Sequence, residues 1–219
     1  MDKGNVFNNW KALLGQSENG TAFLHNHEDS LMYNLHWKVL NSSNFGLPQN
    51  RERVYIVGFE KSINSENFKF PENLNIPISL EDILEDNPND AKIIERSDIE
   101  IYKDFFIEED IFGNKTLPNK PIQIGKVNKG GQGERIYHPA GHAITLSAYG
   151  GGVGSKTGLY KINNQIRKLT VLECFRLQGF PDDYVKPVSN SQLYKQAGNS
   201  ISVPVIENIL KVLLKNHIN

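Results

Sequence analysis

Three short stretches of this chain combine side chains that can recognise or handle a ligand. The first is Gln49-Asn50-Arg51-Glu52-Arg53, which runs into the apolar segment Val54–Phe59. Arg51 and Arg53 are two positions apart, so in extended chain both guanidinium groups face the same side. Such a pair at a strand edge suits a phosphate, a carboxylate or a nucleobase carbonyl, because each planar fork donates to two oxygens at once. A surface ion-pair cluster with Glu52 is the plain alternative. The second stretch is Lys129-Gly130-Gly131-Gln132-Gly133-Glu134-Arg135-Ile136-Tyr137. Glycine on both sides of Gln132 lets a loop tip enter a narrow space, and Gln and Arg are side chains that read base edges. Its companion, Thr145 to Gly152, adds the hydroxyls of Thr145, Ser147 and Tyr149 and bare glycine backbone suited to phosphate contacts. A glycine-rich hairpin with no ligand would carry the same residues. The third stretch, Gln196-Ala197-Gly198-Asn199-Ser200, precedes the last predicted helix and is either a helix cap or one wall of a small-ligand site.

Other candidates fail on their surroundings. Cys174 lies in a predicted amphipathic helix beside Phe175 and Leu177, with no His or Asp spaced to activate it, so it reads as a buried structural thiol. His25-Asn26-His27-Glu28-Asp29 offers an i, i+2 histidine pair in a loop without further ligands, which reads as a polar loop rather than a metal site. No phosphate-binding glycine loop and no nucleophile elbow is present, so the chain carries no complete catalytic apparatus of its own. A single cysteine excludes an internal disulfide and a cysteine-rich zinc site. No apolar run reaches the ~20 residues of a membrane span, and the N-terminus lacks an apolar signal core. The expectation is a cytoplasmic chain with no membrane contact.

The 219 residues fit one medium or two small domains. Their net charge of −1 conceals an asymmetry: residues 79–110 carry 3 basic and 12 acidic groups, residues 111–219 carry 14 basic and 5 acidic. The basic half could face a polyanion, although an acidic surface helix beside an ordinary basic surface would give the same sums.

The elements that must hold these stretches are partly legible. Val6–Leu14 reads as a short amphipathic helix, and Leu35–Leu40 and Val54–Phe59 as strands, the latter apolar enough for burial on both faces. Ser79 with Asp82 predicts a capped helix to about Asp86. Residues 125–158 hold 10 of the 18 glycines, which opposes helix and suits twisted ribbon or loop. Thr170 with Glu173 predicts a capped helix stopped at Gly179. Ser189 with Gln192 predicts another. From Val203, an apolar stripe at Ile206, Ile209, Leu210, Leu213 and Leu214 predicts a final helix that packs along that face.

Together these stretches resemble a known family. Leu47–Tyr55 resembles motif VIII of bacterial DNA (cytosine-5)-methyltransferases, Arg167–Pro181 resembles motif IX, and Tyr194–Ile201 resembles motif X, in that order and spacing. Gly125–Tyr160 is similar to the target-recognition domain of a GCGC-recognising member. The resemblance covers about residues 33–219, while residues 8–32 fit it poorly and could hold an insertion or a frameshift scar. It implies an α/β fold: an incomplete S-adenosylmethionine-dependent sheet domain plus a small, glycine-rich, mainly β recognition domain. The implied boundaries are 1–85 for the partial catalytic domain, 86–188 for target recognition with motif IX, and 189–219 for motif X and a helix returning to the catalytic domain.

In such enzymes the target cytosine is flipped out of double-stranded DNA, a cysteine thiolate attacks ring carbon 6, a glutamate stabilises nitrogen 3, and carbon 5 takes the methyl group. By this resemblance Gln49, Arg51 and Arg53 belong to the catalytic pocket, Arg53 holding the cytosine carbonyl and Arg51 supporting the pocket. Gln132 pairs with the orphaned guanine, and Arg135 reads a guanine. Thr145, Ser147, Tyr149 and Gly152 contact backbone and bases, and Asn199 and Ser200 close the S-adenosylmethionine pocket. The family's Phe-x-Gly-x-Gly, Pro-Cys and Glu-Asn-Val motifs are absent from these residues. The expectation is a C-terminal half, split or truncated, of a restriction-modification methyltransferase, with a partner half carrying the nucleophile and this chain inactive alone. A stand-alone DNA-binding module and an inactive remnant are the other readings.

Overall fold

The computed structural model describes residues 4–102, 105 and 116–217. Residues Lys103, Asp104, Glu108, Glu109 and Asp110 of the acidic block lie outside them. The chain forms two compact units, one of Met1–Leu40, Glu52–Glu72 and Glu207–Asn219, the other of Asn41–Arg51 and Asn73–Ile206. Strands in two sheets combine with helices in an α/β fold.

In the first unit, α1 (Asn5–Leu14) leads into β1 (Gly15–Glu18) and β2 (Thr21–Ala22). Asn19 and Gly20 both take positive φ, the backbone a two-residue hairpin turn requires. β3 (Tyr33–Asn41) and β4 (Glu52–Phe59) extend the sheet in the order β2-β1-β3-β4, with β1 parallel to β3. The helix read at Val6–Leu14 is thus present as α1, and residues 15–22, which fit the family pattern poorly, supply two strands of the sheet. Phe7 packs edge-on to Trp37 at 5.1 Å, and Glu18 accepts bonds from Lys11 and from the Trp37 indole, which hold its carboxyl below the usual range. The core is Leu35, Leu40, Tyr55 and an aromatic cluster of His36, Phe59 and Phe68. Burial of Val54–Phe59 on both faces is not observed: Tyr55 and Phe59 are buried, but Val54 is 47% exposed. Among the described residues, β4 stands at the edge of its sheet.

In the second unit, β5 (Glu100–Ile101), β6 (Ile122–Lys126), β7 (Arg135–His138), β8 (Leu159–Ile162) and β9 (Gln165–Arg167) lie side by side in chain order. All neighbours are antiparallel except β7 and β8, which run parallel with Ile136 opposite Leu159. A parallel pair needs a crossover. Here it is residues 139–158, without a helix. One apolar layer contains Ile124, Val127, Ile136, Leu159 and Ile166. Another joins Tyr160 and Leu169 to Cys174, Phe175 and Leu177 of the α2 (Val171–Arg176) region and to Leu193 of α3 (Asn190–Asn199).

α2 begins and ends where its sequence predicts. Thr170 Oγ1 accepts from the Glu173 N–H at 3.2 Å, and Glu173 accepts from the Thr170 N–H at 2.8 Å. Gly179 takes φ +81°, and the Phe180 and Gly179 N–H groups return to the Phe175 and Arg176 carbonyls. Glu173 also receives both arms of Arg167 at 2.7 and 2.8 Å and the Glu85 N–H at 3.0 Å, so this buried ion pair is fully hydrogen-bonded. The helix predicted from Ser79 to about Asp86 is only a 3-10 turn, Leu80–Ile83. The carbonyls of Ile83 and Leu84 accept from the Arg176 guanidinium, so tertiary partners replace the next helical bonds.

α4 (Val203–His217) forms as expected, but its face differs. Val205 and Ile209 are buried, whereas Leu210 and Leu214 of the predicted stripe are about half exposed. Among the described residues no helix is long and apolar enough to cross a membrane.

Candidate nucleic-acid interface

The β6–β7 connection carries Gln132 and leads into Arg135, the first residue of β7, and a polar network fixes its shape. Arg96 donates to both carboxylate oxygens of Asp98 at 2.7 and 2.8 Å and to the Asn128 amide oxygen at 2.7 Å. Asp98 in turn accepts from the Asn128 N–H at 3.0 Å. Asn128 donates to Glu134 at 2.8 Å, and the other Glu134 oxygen accepts from the Gly131 N–H at 2.9 Å. Arg96 holds the Asp98 carboxyl down at about 2, and the Asn128 amide does the same in direction for Glu134. The outcome is one 3-10 turn, Gln132–Glu134, with Gln132 and Arg135 exposed. Arg96, Asp98 and Asn128 were missed by sequence reasoning. Only Glu134, inside the quoted loop, was in view.

The 139–158 crossover meets this turn backbone to backbone. The Gly154 N–H donates to the Gly133 carbonyl at 2.7 Å, and a Cβ on Gly133 would lie 2.1 Å from the Gly151 carbonyl oxygen. Glycine at 133 is therefore a steric requirement, not a signature of flexibility. Between the two segments lies a groove of about 240 Å³, lined by Gln132, Thr145, Ser147, Tyr149, Gly150 and Lys156 among others. Four of the residues singled out in the sequence, Gln132, Thr145, Ser147 and Tyr149, thus border one groove. Gly152 takes φ +83°, and a Cβ there would lie 3.1 Å from the Gly133 carbonyl oxygen. Thr145 Oγ1 donates to the Asn50 carbonyl, and Ser147 Oγ donates to the Tyr149 carbonyl at 2.7 Å. The Tyr149 ring is 77% exposed.

The arginines expected to act as a pair differ in environment. Arg51 is 4% exposed, and its guanidinium donates to the carbonyls of Gly198 and Ser200 at 2.9 Å and of Leu146 at 3.4 Å. Arg53 is exposed and donates to the Glu52 carbonyl, not to its carboxylate. Gln49 is fully buried, donating to the Leu177 carbonyl at 3.2 Å and accepting from the Leu146 N–H at 3.0 Å. Gln49 and Arg51 thus join the crossover, the end of α2 and the end of α3.

The third stretch lies at the C-terminal end of α3, ahead of α4. Ser200 Oγ donates to the Ala197 carbonyl at 2.8 Å, a C-terminal cap rather than the N-terminal one its position suggested, and Asn199 is exposed. Gly198 lies so close to the crossover that a Cβ would be 2.6 Å from the Ala148 nitrogen.

Cys174 is buried within the core, and burial pushes its thiol up, as expected for a structural cysteine. His25 and His27 are exposed, and among the described residues no group of three His, Cys, Asp or Glu could hold a metal ion.

Residues 6–215 match the family described as C-5 cytosine-specific DNA methylase, a match that starts well before the 33–219 read from motifs. The chain is 43% identical over 182 residues to the type II methyltransferase M.HhaI of Haemophilus parahaemolyticus, covering 83% of this chain and 53% of that protein. It is 34% identical over 214 residues to M.Bsp6I of a Bacillus strain, covering 95% and 64%. The chain spans about half to two thirds of the length of these curated relatives. Among solved structures, the Entamoeba histolytica methyltransferase EhMeth superposes with a TM-score of 0.57 at 16% identity, covering 84% of this chain and 54% of that one. The S. pombe Dnmt2 methyltransferase superposes with 0.56 at 19%, covering 85% and 57%. At these identities the structures speak for the fold alone.

Proposed function

The chain belongs to the C-5 cytosine-specific DNA methylase family, and from that premise we propose that it is the recognition half of a restriction-modification cytosine-5 methyltransferase acting in the cytoplasm on a GCGC-like duplex site. The observation that carries this reading is the groove in which Gln132 faces Thr145, Ser147 and Tyr149. An exposed amide on a rigid turn, opposite hydroxyls and bare glycine backbone, suits one DNA strand whose target base has left the stack.

In this reading Gln132 pairs with the guanine left behind. Arg135, exposed beside it, donates to guanine O6 and N7. Arg53 holds the carbonyl oxygen of the flipped cytosine. Gln49 and Arg51, both buried, act as positioning residues for the backbone around that pocket. Residues 86–188 make up the recognition domain, and residues 1–85 and 189–219 belong to an incomplete cofactor-binding sheet domain. S-adenosylmethionine supplies the methyl group. Of the residues assigned to its pocket, Asn199 is exposed and fits a bordering role, while the Ser200 hydroxyl is engaged by Ala197. The cysteine nucleophile, in this reading, is not among these 219 residues, whose single cysteine, Cys174, is buried. In this reading other sequence carrying the Pro-Cys and Glu-Asn-Val motifs provides it.

The test is methyl transfer from labelled S-adenosylmethionine to a GCGC duplex, first by this chain and then with an added N-terminal half containing both motifs. Transfer by the mixture alone supports the proposal. A mixture that associates but transfers nothing, or halves that do not associate, overturns it. GCGC-selective binding without transfer would then favour a stand-alone module, and no selective binding an inactive remnant.

A further inference from the structure

A second groove lies on the far side of the Tyr149–Gly151 ridge. It has a volume of about 550 Å³ and is lined by Tyr149, Gly150, Gly151, Lys156, Ser191 and Lys195 among others. One wall is the crossover and the other is α3, both within one unit. Lys195 stands over the Tyr149 ring at 5.1 Å, a cation–π contact that leaves its N–H donors able to address an oxygen. Lys156 donates to the Ser191 carbonyl and hydroxyl at 3.3 and 3.4 Å and borders both grooves. It does so with φ +76°, a conformation that glycine adopts more readily. No Asp or Glu occurs between Glu134 and Glu173 or between Asp183 and Glu207, so neither wall supplies a carboxylate from its own stretch of chain.

We propose that this second groove is a phosphodiester clamp: Lys156 and Lys195 grip the DNA backbone flanking the recognised site, while Tyr149 forms the ridge that separates backbone anchoring from base reading. The clamp rests on the DNA-recognition reading given above and extends the DNA-contacting surface onto α3, a helix to which no DNA contact is assigned there. Two ammonium groups, a hydroxyl and open glycine backbone suit an anionic oxygen, and the Gln192 amide on the α3 wall can donate to the same oxygen.

The proposal predicts a salt-dependent, sequence-independent contribution. Each phosphate contact adds about 0.9 to the slope of log affinity against log salt. Binding of the full chain to a GCGC duplex and to a scrambled duplex is measured by fluorescence anisotropy between 50 and 200 mM salt. For Lys195→Gln and Lys156→Gly, the fall in affinity across that range is expected to be about 3.5-fold smaller than for the unchanged chain, equally on both duplexes. Lys156→Gly also removes the positive-φ demand on a side chain, so its folding is safeguarded, and circular dichroism checks both variants. Arg135→Ala serves as the contrast and should narrow the preference for GCGC. If the unchanged chain binds DNA and both lysine variants keep its salt slope, the clamp is wrong while DNA recognition stands. If the unchanged chain binds neither duplex, the DNA-recognition reading itself fails, and the clamp with it.

Discussion

Arg51 and Arg53 are two residues apart, and the structure predicts opposite consequences for removing them. Arg51 donates at 2.9 Å to the Gly198 and Ser200 carbonyls from a side chain that is 4% exposed. Hydrogen bonds from a charged donor contribute about 1.5–3 kcal/mol each, whereas the third contact, at 3.4 Å to Leu146, is too long to add much. Arg51→Ala also leaves those carbonyls without that donor. The expected loss is about 3–6 kcal/mol of unfolding free energy, a large part of the ~5–15 kcal/mol typical of a domain. Arg53 is exposed and bonded to the carbonyl of its neighbour, so Arg53→Ala should stay within about 0.5 kcal/mol. Equilibrium urea unfolding followed by circular dichroism measures both. Methyl transfer in the reconstituted mixture should be abolished by Arg53→Ala at full stability. A loss below about 1 kcal/mol for Arg51→Ala would refute the strut argument, and full transfer by Arg53→Ala would refute the cytosine-pocket assignment.

Three further outcomes are expected. Glu173→Gln breaks a buried, fully bonded ion pair and should cost about 3–5 kcal/mol, lowering the thermal midpoint by about 6–20 °C for a chain of this size. The double change Arg167→Met with Glu173→Leu should recover much of that stability in the same calorimetric scan. Gly133→Ala forces a Cβ to within 2.1 Å of a backbone oxygen, so GCGC affinity should fall at least tenfold in anisotropy while the far-ultraviolet spectrum is unchanged. Asp98 and Glu134 both have folded-state values below the usual carboxylate range, Asp98 at about 2. The Asp98 support of the Gln132 turn is therefore present above about pH 4 and lost as pH falls through about 2, Glu134 acts in the same direction, and the protection of the Gly131 amide against hydrogen exchange should fall as these carboxylates protonate.

Much of this protein is written locally. The capping pair Thr170 and Glu173 with Gly179 marks both ends of α2, because side-chain caps and a left-handed glycine satisfy helix ends with groups from the same few residues. Gln132 between glycines, and the hydroxyl-bearing run from Thr145, stood out by type and spacing, and they border one groove. Cys174 could be read as structural from its apolar helical neighbours.

Tertiary structure decided what depends on distant partners. Nothing near Arg51 in sequence says that its donors go to Gly198 and Ser200, nearly 150 residues away, or that it is buried while Arg53 is exposed. The Ser79 cap starts only a 3-10 turn because Arg176 takes the Ile83 and Leu84 carbonyls. The loop-shaping network joins Arg96 and Asp98 to Asn128 and Glu134 across some 30 residues, so no window of sequence contains it. The parallel pairing of β7 and β8 turns a glycine-rich segment into a crossover and sets Thr145, Ser147 and Tyr149 opposite Gln132. Local chemistry names the residues, and long-range hydrogen bonding sets which of them border the groove and which hold the backbone in place.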